Sequence, residues 1–419
     1  MKICVIGSGG REHALCVALS KSPKCSELFA IPGNAGMAEI ATCFPAVKAT
    51  EIDAVVTLCK ENGVDYCVVA SDDPLALGLV DTLTESGIAS FGPTKAAAYI
   101  EASKAFSKGL MKKYAIPTAR YETFTEGGDA KAYVRSQNLP IVVKADGLAL
   151  GKGVAVAQTF EEAEAFIDEL TSGAKFGAAG ATIVVEEFMS GREATVLAFT
   201  DGKTVSLMPT SRDHKRAYDG DEGPNTGGMG AISPVPDLTP ELLAEIERTI
   251  TYPTIDALNK EGRTFRGVIY FELMLTPEGA KVIEYNARFG DPECQTLLPL
   301  LKTDLLEIML AVTERRLADI NIEWEPAYSC CVVAASGGYP GDYAKGYEIT
   351  GIAEAEAKGA TIYQAGTARS ANGALITSGG RVLTATATAS SPQDARDKAY
   401  NALKAIHFEG MRYRKDIGL

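Results

Sequence analysis

Two strand-like runs, Gly267 to Leu275 (GVIYFELML) and Lys281 to Tyr285 (KVIEY), constrain this 419-residue chain more than any other feature. Only Thr276-Pro277-Glu278-Gly279 and the next strand's start lie between them, so they predict a hairpin. Side chains two apart on a strand share a face, so Glu284, Asn286 and Arg288 point the same way. A three-residue loop of Pro277, Glu278 and Gly279, glycine in the left-handed position, predicts Glu272 opposite Glu284. Two carboxylates and an amide oxygen form the hard ligand set of a magnesium ion that also holds nucleotide phosphates. The plainer alternative is a half-buried hairpin with its charges in solvent.

The length suits two to four domains with a sizeable core. A net charge of −13 leaves no basic excess for nucleic acid or an anionic membrane. An anionic substrate therefore needs a local cationic pocket. Nine scattered cysteines without zinc spacing fit a reducing compartment, so a cytoplasmic location is expected. The opening MKICVIGSGG reads as strand and turn, and neither a signal peptide nor a membrane span is expected.

Lys2 to Ile6, the turn Gly7-Ser8-Gly9-Gly10-Arg11-Glu12-His13 and a helix from Ala14 to Ser20 aim backbone N–H groups at an anion. Glu12 stands where a dinucleotide fold requires its third glycine, which opposes an NAD-dependent oxidoreductase. Further turns at Ala30–Gly36, with Asn34, and at Ser71–Pro74 follow buried strands. Alternating strands and helices predict a parallel sheet, with ligands at its carboxyl edge.

Lys95 to Lys113 reads as one basic helix that includes Lys104. The strand Pro140–Lys144 precedes a glycine-rich loop with Gly147, Gly151, Lys152 and Gly153, and then the strand Val154–Ala157. Glycines that admit a close backbone and lysines that meet charge suit a flap over a triphosphate; a flexible surface hairpin is the alternative. Thr182–Phe188, carrying Glu186, Glu187 and Phe188, and Arg192–Phe199, carrying Glu193, read as strands. The glutamates there could be ordinary edge-strand charges.

Pro209 to Gly230 (PTSRDHKRAYDGDEGPNTGGMG) holds too much glycine, charge and proline for regular structure. Long loops inside compact domains are functional or disordered. Asp213, His214 and Lys215, with the backbone amides of Asn225, Thr226, Gly227, Gly228, Met229 and Gly230, could hold small polar substrates. Beyond Asp291-Pro292 a long helical region to about Arg316 is expected, then a linker near Trp324, a mainly β region, and a final helix from Pro392 to Ile406. Trp324 reads as packing and His407 as structural.

The Glu, then twelve residues on Glu-x-Asn-x-Arg, resembles the metal-binding end of the ATP-grasp ligases. GSGGREHAL, PGNAG, GPTKAAAYIEASK, VVKADGLALGKGV, DHKR, DGDEGPNTGGMG, EYNARFGDPECQ, ASGGYPGDY, TSGGRVLTATA and YRKDIG occur in the order found in the phosphoribosylamine–glycine ligase family. The resemblance spans essentially the whole chain. It implies a multidomain α/β and α+β fold: an N-terminal parallel α/β substrate domain (1–101), an ATP-grasp domain (102–323) with a flap at about 118–194, and a mainly β C-terminal domain (324–419).

The same resemblance implies ATP, glycine and 5-phosphoribosylamine as partners, Mg2+ or Mn2+ as cofactor, and a monomer. Metal binding falls to Glu272, Glu284 and Asn286, and catalysis to Arg288, Asp213, His214 and Lys215. ATP binding falls to Lys104, Lys144, the loop Gly147–Gly153, Glu186, Glu187 and Phe188, with Glu193 on the ribose. Gly9, Gly10, Arg11, Glu12, His13, Asn34 and Asn225–Gly230 would shape the substrate sites.

Three positions depart from the family pattern. Ala70-Ser71-Asp72 replaces a frequent Gly-Pro-Glu, Arg212 replaces glutamine, and Phe271-Glu272 replaces Ala-Gly. A rival ATP-grasp enzyme of purine synthesis, activating bicarbonate or formate, is opposed by DHKR and GPNTGGMG. A nucleotide sensor without turnover is opposed by Lys144, Glu284, Asn286 and Arg288.

Overall fold

The structure is a computed structural model that describes residues 1–148, 153–173 and 177–419. Its first sheet has the order β3-β2-β1-β4-β5: β1 (Lys2–Gly7), β2 (Glu27–Pro32), β3 (Thr42–Cys43), β4 (Tyr66–Val69) and β5 (Ala89–Phe91). All of these pairings are parallel. Alternate residues of β1 serve opposite faces: Ile3 and Val5 share a core with Leu15 and Leu19 of the helix Gly10–Leu19. Cys4 and Ile6 share another with Val55 and Cys59 of the helix Ile52–Glu61. Period-two burial thus places a helix on each side.

The expected single helix Lys95–Lys113 is two, Lys95–Ala102 and Lys104–Lys113. Ser103 breaks it with an extended backbone (φ −135°, ψ 113°) and accepts from Phe106 N as N-cap. A serine that caps competes with helix continuation. Next comes an antiparallel four-stranded sheet, β6-β9-β7-β8, built of β6 (Tyr121–Phe124), β7 (Ile141–Ala145), β8 (Val154–Ala157) and β9 (Ile183–Glu187). The helices Gly127–Arg135 and Phe160–Thr171 bury its apolar face. Because β9 lies between β6 and β7, Glu186 is not on an edge strand.

The central antiparallel sheet has the order β11-β10-β16-β17, from β10 (Arg192–Thr200), β11 (Val205–Leu207), β16 (Gly267–Thr276) and β17 (Gly279–Asn286). The expected three-residue loop is a two-residue turn, because Thr276 pairs with Gly279. That turn alone would set Glu272 opposite Ile283. A bulge between the Leu273–Val282 and Glu272–Glu284 pairs adds one residue and brings Glu284 opposite Glu272. The predicted pairing is present, reached by a shorter turn and a bulge.

Residues 209–230 are more regular than expected. They contribute β12 (Arg212–Asp213), the hairpin β13 (Arg216–Tyr218) with β14 (Glu222–Asn225), and the start of β15 (Gly230–Ser233). β12 and β15 join a five-stranded sheet, β12-β15-β18-β22-β19, with β18 (Tyr328–Ala335), β19 (Thr361–Gln364) and β22 (Arg381–Ala389). A small hairpin, β20 (Thr367–Arg369) and β21 (Leu375–Thr377), stands apart. The glycine, proline and charge of this stretch hid two short local pairings, β13 with β14 and β12 with β15, and β15 is held further by β18 about a hundred residues away.

The helical region after Asp291 is also broken, into Glu293–Leu297, a 3-10 turn at Leu298–Leu300, and Leu305–Thr313 capped by Asp304. The last helix is Pro392–Leu403, capped by Ser391, and His407 lies beyond it, bridged to Thr350. Among the described residues no helix is long and apolar enough to cross a membrane.

Candidate active site

Glu272 and Glu284 face each other across β16 and β17, with Asn286 two residues further along the same strand. The Lys215 ammonium forms an ion pair with Glu272. Burial pushes the Glu272 carboxyl up, reinforced by Glu284 and Glu193 and opposed by Lys215. Burial also penalises Glu284, but Lys104, Lys215 and Lys144 outweigh it and hold that carboxyl down. This edge of the sheet is a negative pole that already draws an ammonium. Among the described residues no group of three or more His, Cys, Asp and Glu side chains could hold a metal ion. A cation here would therefore rest on two carboxylates and the Asn286 amide, a hard-oxygen set that suits magnesium.

The opposite charge gathers about Glu186. Lys108, Glu186 and Lys144 are 1%, 3% and 4% exposed. Lys108 Nζ lies 2.9 Å from Glu186 Oε2, and Lys144 Nζ lies 3.0 Å from Oε1. Lys108 also donates to Thr118 Oγ1 at 2.7 Å. Burial, with the charge of Lys144, brings Lys108 down to about 8. Burial alone would lower Lys144 too, but Glu186 and Glu284 outweigh it and hold it up. Lys104 starts its helix beside this group; its Nζ donates to Gly147 O (3.4 Å). Asp146 fixes that junction by accepting from Ala105 N at 2.6 Å and from Ser103 Oγ at 3.0 Å.

Glu187 differs from Glu186: it accepts from Arg120 N and Nε at 2.9 and 2.6 Å near the surface. Phe188 is exposed, and Glu193 is exposed on β10 opposite Met274. Gly153 O accepts from Ala145 N across the base of the glycine-rich loop. Gly151 and Lys152 lie outside the described residues.

Arg288 follows β17 and meets Glu101, Nη2 to Oε1 at 3.0 Å. The other Glu101 oxygen accepts from Ala287 N at 2.7 Å, so one carboxylate fixes both backbone and guanidinium. Arg288 Nε is buried and has no partner among the described residues. The departure residue Asp72 faces both Arg288 and Arg11; burial opposes its charge, and these arginines hold its carboxyl down. Arg212, the second departure, donates to Asp237 at 2.7 Å.

At the carboxyl edge of the first sheet a cleft of about 410 Å3 opens between Gly7–Arg11, Lys48–Thr50, Ser71–Pro74 and Asp291. Gly7 has φ +135°, and a Cβ there would lie 2.5 Å from Glu12 Cγ. The glycine makes room for Glu12 to fold back and accept from Gly9 N at 2.7 Å, while Arg11 Nε donates to its other oxygen. Glu12 is thereby accommodated where a dinucleotide fold requires its third glycine. Asn34 is spent inside the fold: its amide donates to Ser8 O and Gln364 O, and its oxygen accepts from Gly36 N and Met37 N. His13 Nδ1 accepts from Gln364 N at 2.8 Å, and burial brings the imidazole down to about 4. Both side chains tie the first sheet to the last, so they position the glycine-rich turn.

The loop that carries Asp213, His214 and Lys215 closes the site. Asp213 Oδ1 is buried with no partner among the described residues. Burial, with Glu293 nearby, pushes that carboxyl up. Gly228 has φ +106°, and a Cβ there would lie 2.5 Å from Asp213 Oδ1. His214 Nδ1 faces Gly230 O at 3.2 Å; burial, then Arg414, brings it down to about 4. Thr226 donates from both N and Oγ1 to Lys215 O at 2.8 Å. Sequence reasoning missed Lys108, Glu101, Asp291 and Arg381. Lys108 sits four residues after Lys104, a helical spacing that signals a shared face. Arg381 donates to Gly227 O, Gly228 O and Asp291 O from a distant strand, and no local pattern announces it.

Flap sheet, central sheet and a cationic cluster facing a carboxylate edge define an ATP-grasp enzyme. Models of the phosphoribosylglycinamide synthetase N domain, ATP-grasp (A) domain and C domain match residues 1–101, 102–294 and 329–419. The chain belongs to this family, and is an ATP-dependent ligase of purine biosynthesis. It is 48% identical to the phosphoribosylamine–glycine ligase of Nostoc sp., covering 100% of this chain and 99% of that one. It is 47% identical to the trifunctional purine biosynthetic protein adenosine-3 of Gallus gallus, covering 100% of this chain and 42% of that one.

The crystal structure of phosphoribosylamine–glycine ligase from Thermotoga maritima is similar at TM-score 0.86 and 34% identity, covering 100% of both chains. The biotin carboxylase domain of Hydrogenobacter thermophilus 2-oxoglutarate carboxylase, crystallised with MgADP, shares the fold at TM-score 0.75 and 17% identity. That match covers 98% of this chain and 91% of that one.

Proposed function

We propose that the chain joins glycine to 5-phosphoribosylamine, giving glycinamide ribonucleotide, ADP and phosphate through glycyl phosphate. The observation that carries this reading is the meeting of two oppositely charged poles, one about Glu186 and one about Glu272 and Glu284. A carboxylate is a poor acylating agent, so the γ-phosphoryl group of ATP first passes to glycine. That step needs positioning and charge neutralisation more than covalent help from the protein.

Lys104, Lys144 and the loop from Gly147 to Gly153 hold the phosphates, and the flap at about 118–194 closes over them and excludes water. Glu186, Glu187 and Phe188 line the adenine side, and Glu193 takes the ribose. Glu272, Glu284 and Asn286 would hold Mg2+ or Mn2+, which would supply charge neutralisation for the phosphoryl transfer. Arg288, aimed by Glu101, stabilises charge on the transferring group. Asp213, with its unpartnered oxygen, suits the glycine ammonium, and Lys215 the reacting carboxylate. The turn Gly9–His13 and residues Asn225–Gly230 shape the phosphoribosylamine site, supported by Asn34. The amine attacks the acyl carbon and phosphate leaves.

The same reading makes the protein a cytoplasmic monomer divided at about residues 101 and 323. Phosphate release with ATP and magnesium tests it, with phosphoribosylamine formed in situ from ribose 5-phosphate and ammonia. Release that requires both glycine and phosphoribosylamine, with product of the amide's mass, is the expected result. Release that ignores glycine but needs bicarbonate or formate would overturn it.

A further inference from the structure

Arg412 and the YRKDIG stretch that follows it (413–418) have no role in the reaction above. This segment touches six successive residues of the hairpin that follows Lys215. Arg414 Nη1 donates to Arg216 O at 3.1 Å and to Asp221 Oδ1 at 2.8 Å. Arg412 donates to Ala217 O at 3.3 Å and lies over the Tyr218 ring at 4.7 Å. Lys415 N donates to Asp219 Oδ1 at 2.7 Å, and Gly220 N donates to Asp416 Oδ2 at 2.8 Å.

Arg414 is the centre of this grip. Its side chain is 2% exposed, and Asp416 binds it through two oxygens, at 2.7 and 2.6 Å from Nε and Nη2. A bidentate pair fixes the guanidinium plane as well as its position. Asp221 has φ +55°, an uncommon backbone for a residue with a Cβ. Arg414 binds the side chain of that residue, so the hairpin's turn is braced where its backbone is least relaxed. Beneath the other end of the loop, a Cβ on Gly230 would lie 2.9 Å from Ile417 Cγ2, which shows how closely the tail passes.

We propose that the C-terminal tail, through Arg414, positions the Lys215 loop for glycine and phosphoribosylamine; this rests on the ligase reading above. Arg414 is a positioning residue. Its side-chain hydrogen-bond partners are Arg216, Asp221 and Asp416, and it acts through residues 216–221 on Lys215, which pairs with Glu272 at the carboxylate edge. The ATP lysines sit on other elements, Lys104 on a helix and Lys144 on β7, so nucleotide affinity does not depend on the tail.

The test uses the full chain and loop-side substitutions Asp219→Ala with Asp221→Ala, which remove exposed partners of the tail and spare the core. Arg414→Met and Arg414→Lys accompany them. The double variant is expected to raise KM for glycine about 10–100-fold, the scale of a misplaced binding group. Its Kd for ADP without a divalent cation stays within about twofold, since neither Lys104 nor Lys144 is touched. Arg414→Met gives the same split more strongly, and Arg414→Lys recovers part of it. A wild-type glycine KM in the double variant, or affinity for metal-free ADP falling in parallel, would overturn the tail assignment while wild-type ligation leaves the function standing. Wild-type protein without glycine-dependent phosphate release would overturn the function and, with it, this role for the tail.

Discussion

Around Glu186 two buried lysines share one carboxylate, whereas Lys215 pairs with the buried Glu272 and lies in the field of the half-buried Glu284 as well. The first group carries surplus positive charge and the second surplus negative charge. Buried charge costs free energy unless it is paired, so an imbalance inside a folded protein invites a ligand of opposite sign. The positive group suits phosphate oxygens and the negative group a divalent cation. The two are held differently. Lys108, Glu186 and Lys144 come from a helix and two adjacent strands, bonded within one part of the chain. Lys215 reaches Glu272 from a loop secured by Arg381 and the C-terminal tail. Charge at the first group is set locally; charge at the second depends on distant segments.

The largest expected effect lies at the negative pole. Glu284→Ala should reduce turnover by on the order of 10³-fold with little change in the melting midpoint, by loss of a preorganised electrostatic contact. Near-normal activity with a normal melting curve would remove the metal assignment. At the positive pole the balance reverses, and stability should suffer as well as activity. Glu186→Gln leaves Lys108 and Lys144 without their shared counter-charge, and breaking a buried pair costs about 3–5 kcal/mol. Denaturant unfolding measures this. Adding Lys108→Met to Glu186→Gln should recover part of the loss, and additive losses would show that the two do not act as one group.

A smaller, pH-dependent effect comes from His13. Its folded imidazole lies at about 4, below its ordinary 6.5, because burial disfavours the charged form. The unfolded chain therefore binds the proton first. This contribution to stability is complete above about pH 6.5 and is lost as pH falls toward 4. His13→Asn can still accept from Gln364 N, and it should flatten that slope while leaving stability at pH 8 nearly unchanged. His214 shifts in the same direction, with Arg414 adding to burial, so some slope persists in the variant. The smallest effect belongs to exposed pairs such as Arg135–Glu164, whose removal should leave the midpoint unchanged within error.

The parts legible in the sequence were those encoded locally. The alternation of strands with helices gave the parallel sheet, and the spacing of Glu272, Glu284 and Asn286 gave the carboxylate edge. The pairing survived a wrong turn length because an unforeseen bulge supplied the missing residue. Lys108 was missed because a charged residue in a helix usually faces water, and only the packing of one sheet on that helix buries it against Glu186. Regular structure in residues 209–230 escaped notice because its strands are short and β15 is held by β18, about a hundred residues further along the chain. Arg381 and Arg414 touch the site's loop from more than 150 residues away in sequence, where no spacing rule reaches.

In the proposed reaction glycine is activated through its own carboxylate oxygen. Glycine labelled with ¹⁸O in both carboxyl oxygens tests this directly, with mass analysis of the phosphate and amide formed. The account predicts one ¹⁸O in phosphate and one in the amide carbonyl, since the bridging oxygen of glycyl phosphate leaves with phosphorus. Phosphate free of label, alongside normal amide formation, would contradict it.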